Sequence, residues 1–247
     1  MSQRIEDLER IHSNIKSDGE NVSTETKKEF WRLVREIKRE SHPNPQEIEK
    51  AAEIRDELFE IRRGKTYSLK PTLGIMFLIG LVTSVIPFVY LLSLPLNWTQ
   101  ILVWTPENWI LFVLRFIVVF MGIAFFYPFG RLIAGRILGI RIMGVCWDDF
   151  REPTLRIDYV SFLSLSPPKR KWFFFLGGIW TVITSLIYWL IGMIIAMDIT
   201  GMIPFIVLLM FEGIVILSNR PTYKLGEMGL FNRERKIERA WRKTSSS

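Results

Sequence analysis

The sequence predicts a mainly α-helical, polytopic membrane protein with four transmembrane helices, a small cytoplasmic β-hairpin and an N-terminal helical region. Three observations carry that class. Of the 247 residues, 49% are hydrophobic, and they gather into four long runs nearly free of Lys, Arg, Asp and Glu. Residues 1–64 are instead dense in interleaved charge. Between the second and third runs, apolar and polar residues alternate with a period of two, the pattern of a half-buried strand.

The polar N-terminal region divides into three helical stripes. Ile5, Leu8, Ile11 and Ile15 share one face, and Gly19 ends it. Phe30, Leu33, Val34 and Ile37 repeat at i, i+3, i+4 and i+7, which is helical spacing. The third stripe has the clearest start, with Asn44 as N-cap, Pro45 at the first helical position and Glu47 closing a capping box. Ala51, Ile54, Leu58 and Ile61 supply its apolar face, and Gly64 is a suitable stop. None of these stripes is stable alone. They form a hairpin or small bundle, or else a docking module for a partner. The charge of this region leaves no place for a signal peptide ahead of the spans.

A spanning helix needs about 20 apolar residues. The runs place spans at Leu73–Leu94, Trp109–Phe129, Trp172–Met197 and Met202–Leu217, with Ile199 and the Thr200-Gly201 turn extending the short last one. The chain then divides into residues 1–70, the first span and outer loop at 71–108, a three-helix core at 109–218 containing the loop 130–171, and a basic tail at 219–247. Lys and Arg are absent from 95–108 and from the Asp198 turn, but crowd the flank before the first span, the central loop and the tail. Both termini and the central loop are therefore expected on the cytoplasmic side. Trp98, Trp104, Trp109 and Trp189 fall at the outer interface, and Trp147 and Trp172 at the inner one.

Within the spans the polar residues are few. Arg115 lies about two turns inside the second span, and a buried arginine is paired or hydrated. Glu212 is the acid available in the fourth span, so an Arg115–Glu212 pair is expected. In the central loop, Ile140, Ile142 and Val145 alternate, as do Leu155, Ile157 and Tyr159, with Trp147–Arg151 as the turn between two strands. Ser166-Pro167-Pro168 closes the hairpin. In the tail, Leu230, Ile237, Ala240 and Trp241 can share a face opposite basic residues, giving an amphipathic helix suited to an anionic membrane surface or a solvated one.

The net charge of +7 fits orientation and anionic-lipid contact. No basic stretch carries an aromatic stacking platform, so nucleic acid is not an expected partner. Cys146 is the single cysteine, and His12 and His42 are the only histidines. Neither a disulfide nor a cysteine zinc site follows.

Three landmarks in order within 109–218 resemble the site-2-protease-like family of intramembrane metalloproteases. The first is Tyr127-Pro128-Phe129-Gly130-Arg131 followed by Leu-Ile-Ala-Gly-Arg-Ile-Leu-Gly-Ile, where the family carries HExxH. The second is Gly177-Gly178 with Thr181, where the family has Gly-Pro and Asn. The third is Phe211-Glu212-Gly213, where the family has Leu-Asp-Gly, its aspartate on zinc. The resemblance is degenerate. Two imidazoles one helical turn apart would point at one metal, with a glutamate between them as base. Tyr127, Pro128 and Arg131 supply neither ligands nor base, so catalysis, metal and cofactor are not expected. What the resemblance implies is a non-catalytic scaffold that binds a membrane-protein partner or a transmembrane segment. Arg131 could pair with Glu212 in place of the metal. The alternatives are a structural or docking subunit of a larger membrane complex and a small transporter.

Overall fold

The computed structural model describes residues 3–40, 42–63, 65–96, 98, 104–147, 153–222 and 225–245. The three N-terminal stripes become α1 (Gln3–Asp18), α2 (Thr24–Ile37) and α3 (Pro45–Arg63). Their starts follow from side-chain caps. Ser23 Oγ accepts the Thr26 N–H at 3.0 Å, and Asn44 Oδ1 accepts the Gln46 N–H at 3.0 Å. Gly19 ends α1 with φ +54°, a conformation glycine adopts without strain. Leu8, Ile11, Ile15, Phe30, Leu33, Val34 and Ile54 are buried together. The stop expected at Gly64 lies outside the described residues.

The first apolar rod runs Leu69–Leu92 and consists of α4 (Leu69–Gly80), a π-helical turn (Leu81–Val85) and α5 (Ile86–Leu92). The wide turn directly precedes Pro87, which has no N–H to donate and whose ring crowds the preceding turn. It also carries Ser84, which donates to the Val118 carbonyl at 2.7 Å and bonds Tyr188 Oη. The second rod is α6 (Pro106–Leu138), and the third is α8 (Pro167–Ala196). All three are long and apolar enough to cross a membrane.

The fourth run differs from expectation. It forms α9 (Met202–Ser218), which is apolar but has 17 residues. At about 1.5 Å per residue it extends about 26 Å, less than a hydrocarbon core of about 30 Å. Ile199–Gly201 do not lengthen it, because they form the turn itself, where Asp198 Oδ1 accepts the Thr200 N–H at 2.7 Å. Among the described residues three helices, not four, thus meet the length of a span.

Between α6 and α8 lies an antiparallel pair, β1 (Ile142–Trp147) and β2 (Pro153–Ile157), with an irregular register between Ile142 and Gly144. The turn expected at Trp147–Arg151 falls mostly on residues outside those described. Tyr67 bridges to Val145 through two backbone hydrogen bonds of 2.8 and 3.0 Å, which stitches the segment entering α4 to β1. A short helix, α7 (Tyr159–Leu163), follows β2, capped by Asp158, whose Oδ1 accepts the Val160 N–H at 3.1 Å. The strand-like reading of Tyr159 is thereby corrected: the Asp158 cap turns the chain into a helix there.

The chain closes with α10 (Gly226–Ser245), which packs along α8 and α9. One apolar core continues from the bundle (Phe30, Val34, Ile54) through Phe162 and Phe173 to Met228 and Phe231. The hairpin, the bundle, α10, the start of α8 and the end of α6 gather at one end of the helix array. At the other end, Trp98, Trp104 and Trp109 meet edge to face with centroid separations of 5.0–5.2 Å, in the manner of an interfacial aromatic cluster.

Candidate functional site

The landmark positions of α6 meet α8 and α10 at the bundle end of the array. Gly130 is where α6 and α8 cross closely. A Cβ there would lie 2.3 Å from the Trp180 Cβ, so only glycine permits the approach. Trp180 Nε1 donates to the Phe126 carbonyl at 2.9 Å, holding the helix at the turn that contains buried Pro128. One turn on, Arg131 donates through Nη1 to Thr154 Oγ1 of β2 at 2.5 Å and through Nη2 to Glu227 Oε1 of α10. Tyr127 Oη donates to the same oxygen. Gly177 and Gly178 make room for this meeting. A Cβ on Gly177 would touch Arg131 and Glu227, and one on Gly178 would come within 2.8 Å of Met228. Thr181 turns its hydroxyl inward, to the Gly178 carbonyl of its own helix, at 2.7 Å.

Positions 127, 131, 177 and 178 therefore converge on Glu227, while Gly130 meets Trp180 beside them. The third landmark does not join them by a bond. Glu212 is half-buried, its Oε2 has no hydrogen-bond partner among the described residues, and nothing lies within 4 Å of a Cβ placed on Gly213. The expected pairing of Arg131 with Glu212 is corrected to Arg131 with Glu227. Glu227 lies in the first turn of α10. Glu212→Gln is accordingly expected to change stability by less than about 1 kcal/mol, read by thermal melting in detergent. A larger loss would reveal an ion pair at this position.

Arg115 is also paired elsewhere than expected. Its Nη1 donates to Asp198 Oδ2, and its Nη2 donates to the Leu91 and Leu94 carbonyls at 2.8 and 2.5 Å. Both charged side chains are 1% exposed. The cause is depth. Asp198 follows the end of α8 at the same end of the array as Arg115, whereas Glu212 lies ten residues into α9, about 15 Å from that end.

A third polar centre joins the bundle to α8 and α10. Lys38 Nζ donates to Glu234 Oε1 at 2.6 Å, and Arg170 Nε lies 3.4 Å from Glu234 Oε2. Arg170 also donates to the Lys38 carbonyl and to the Leu165 carbonyl at 2.6 Å. Burial drives the Lys38 ammonium from 10.5 down to about 7, against the pull of Glu234 and with the push of Arg233 and Arg170. Burial alone would raise the Glu234 carboxyl, but Lys38, Arg233 and Arg170 hold it below its usual 4.5. Burial also pushes the Tyr159 phenol up to about 12.

These centres correct the reading of the tail. The inner face of α10 buries Met228, Phe231 and Ile237, but with Glu227, Asn232, Glu234 and Glu238 among them. Glu238 Oε2 accepts from Lys171 Nζ at 2.6 Å. The helix faces α8 and α9, so its apolar side is not free to lie on a membrane. The acids recur at 227, 234 and 238, one face of a helix, and that recurrence was the available signal. Among the described residues no three of His, Cys, Asp and Glu gather so as to hold a metal ion. No protein-family model, curated protein or solved structure matches the chain.

Proposed function

We propose that the chain is a non-catalytic, site-2-protease-like integral membrane protein that binds the transmembrane helix of a membrane-protein partner. The observation that carries this reading is the occupant of the site that the resemblance reserves for zinc. There the Arg131 guanidinium joins Tyr127, Thr154 and Glu227 through bonds that span α6, β2 and α10. A cation fixed at this place repels a metal ion and supplies no base.

Beside the Arg131 centre, α4–α5, α6 and α8 enclose an apolar recess of about 310 Å³, lined by Phe77, Phe126, Phe129, Ile133, Trp180 and Tyr188 among others. A whole helix, about 10–12 Å across, exceeds it. A few large apolar side chains projecting from a neighbouring helix fit it. Phe77, Ile133 and Ile187 stand exposed at its rim. In this reading α9 completes a fourth crossing by local thinning or tilt of its surroundings, anionic lipids surround the basic end, and the Lys/Arg distribution puts both termini on the cytoplasmic side.

Photo-crosslinking residues at positions 77, 133 and 187 test the proposal in native membranes. A discrete protein adduct from all three sites, missing from a probe at exposed Ile194 on α8, is the expected result. Lipid adducts alone would overturn it.

A further inference from the structure

Between the bundle and the membrane core lies a second cavity, of about 190 Å³, whose lining includes Lys38 of α2, Arg55 of α3, Arg131 of α6 and Arg233 of α10. No acid lines it among the described residues. The carboxylates that neutralise these cations approach from outside the cavity and are oversubscribed. Glu234 alone serves Lys38, Arg170 and Arg233, at 2.6, 3.4 and 3.7 Å. Asp56 is shared by Arg55 and Arg156, at 2.9 and 3.6 Å, Glu60 also lies 3.2 Å from Arg156, and Glu227 meets Arg131, so four acids face six cations. Arg131 Nε and Arg233 Nε are buried with no hydrogen-bond partner among the described residues. Burying donors in this state is costly, and gathering like charges adds to the cost.

The cavity shares Trp31, Arg55 and Phe59 with an outer cleft of about 690 Å³ between α2 and α3, which adds one cation, Lys27, and one acid, Glu20. Arg55 lies over the rings of Phe59 and Tyr159, with its guanidinium carbon 5.3 and 5.0 Å from their centroids. Ring contacts of this kind fix the fork of an arginine in advance of binding.

We propose that the inner cavity binds the phosphoryl group of a phosphate ester, whose organic part lies in the outer cleft against Trp31 and Phe59. A phosphoryl group brings up to two negative charges and three acceptor oxygens, which matches several converging cations better than the single charge of a carboxylate. Arginine forks meet phosphate oxygens two at a time. The aromatic walls then favour an ester over inorganic phosphate. The site shares Arg131 with the protease-like reading but does not depend on it, since Lys38, Arg55 and Arg233 come from the bundle and α10.

The test uses the full chain in nanodiscs of zwitterionic lipid, with melting temperature and calorimetric titration as readouts. Inorganic phosphate and adenosine monophosphate form the soluble arm. Nanodiscs containing a phosphatidylinositol phosphate form the lipid arm. Saturable, salt-sensitive stabilisation is expected in one arm, and the arm that responds identifies the source of the phosphate. Arg55→Gln and Arg233→Gln should each weaken it about tenfold, the loss of one charge-assisted hydrogen bond. If Arg55→Gln does not fold, Arg233→Gln carries the test, because its side chain is 39% exposed. No saturable stabilisation in either arm, or binding indifferent to the substitutions, would overturn the proposal.

Discussion

Glu234→Gln is expected to lower stability by about 3–5 kcal/mol, the cost of leaving buried charge without its partner. The side chain is 0% exposed, and three cations from three elements converge on it. Glutamine preserves the volume and removes the charge, so the loss reports electrostatics and not a cavity. For a chain of this size the melting temperature should fall on the order of 10 °C. Lys38→Met in the same background should recover part of the loss, because it removes one of the stranded cations and keeps an apolar stem.

The same centre sets a pH dependence of definite sign. The unfolded chain keeps the Lys38 proton up to about 10.5, while the folded chain releases it near 7. Between those values unfolding takes up a proton, so stability rises with pH. Glu234 acts at the other end of the scale. Its depressed folded value adds stability above the usual 4.5, and that stability is lost as pH falls further. Melting followed from pH 4 to 10 should therefore show an alkaline rise that Lys38→Met abolishes. An identical rise in the variant would assign it to another group.

The second large effect belongs to Arg115 and Asp198. Arg115 pairs with an acid in the α8–α9 turn and also donates to two carbonyls at the end of the first rod, of which Leu91 also accepts the Leu94 N–H at 3.2 Å. Arg115→Met removes all three bonds and strands Asp198, and about 3–5 kcal/mol should be lost. Asp198→Asn leaves the carbonyl bonds in place, so its cost should be smaller. Unfolding in mixed detergent micelles measures both. Equal losses would show that the carbonyl bonds contribute nothing, and no loss in either variant would remove the pair as a tie between rods.

The contrast between what was legible and what was not follows a physical line. Apolar periodicity marks burial directly, so Ile5, Leu8, Ile11, Phe30 and Ile37 were identifiable as inward-facing, and so were the two strands. Caps act over three residues, which is why Asn44-Pro45 opens α3 as expected. Pairing of charge is different, because partners are chosen by depth and approach across the fold. Glu212 looked the natural counterion because it is the acid inside an apolar run, yet Arg131 reaches Glu227, 96 residues along the chain. The acids of α10 carry no such mark, since basic residues adjoin Glu234 and Glu238 in the sequence. Only the packing of α10 onto α8 shows that 227, 234 and 238 point inward. Asp158 gave a helix start that alternation at Leu155 and Ile157 obscured.

That arrangement has a consequence for the order of assembly during synthesis. Lys38, Arg131, Arg170 and Lys171 all precede the helix whose acids neutralise them. As the chain emerges from its N-terminus onward, these cations are made before their counterions. The bundle, the hairpin and the α6–α8 crossing at Gly130 and Trp180 draw on nothing from α10. The Arg131 centre and the Lys38–Arg170 centre are neutralised only when α10, the last helix of the described chain, arrives.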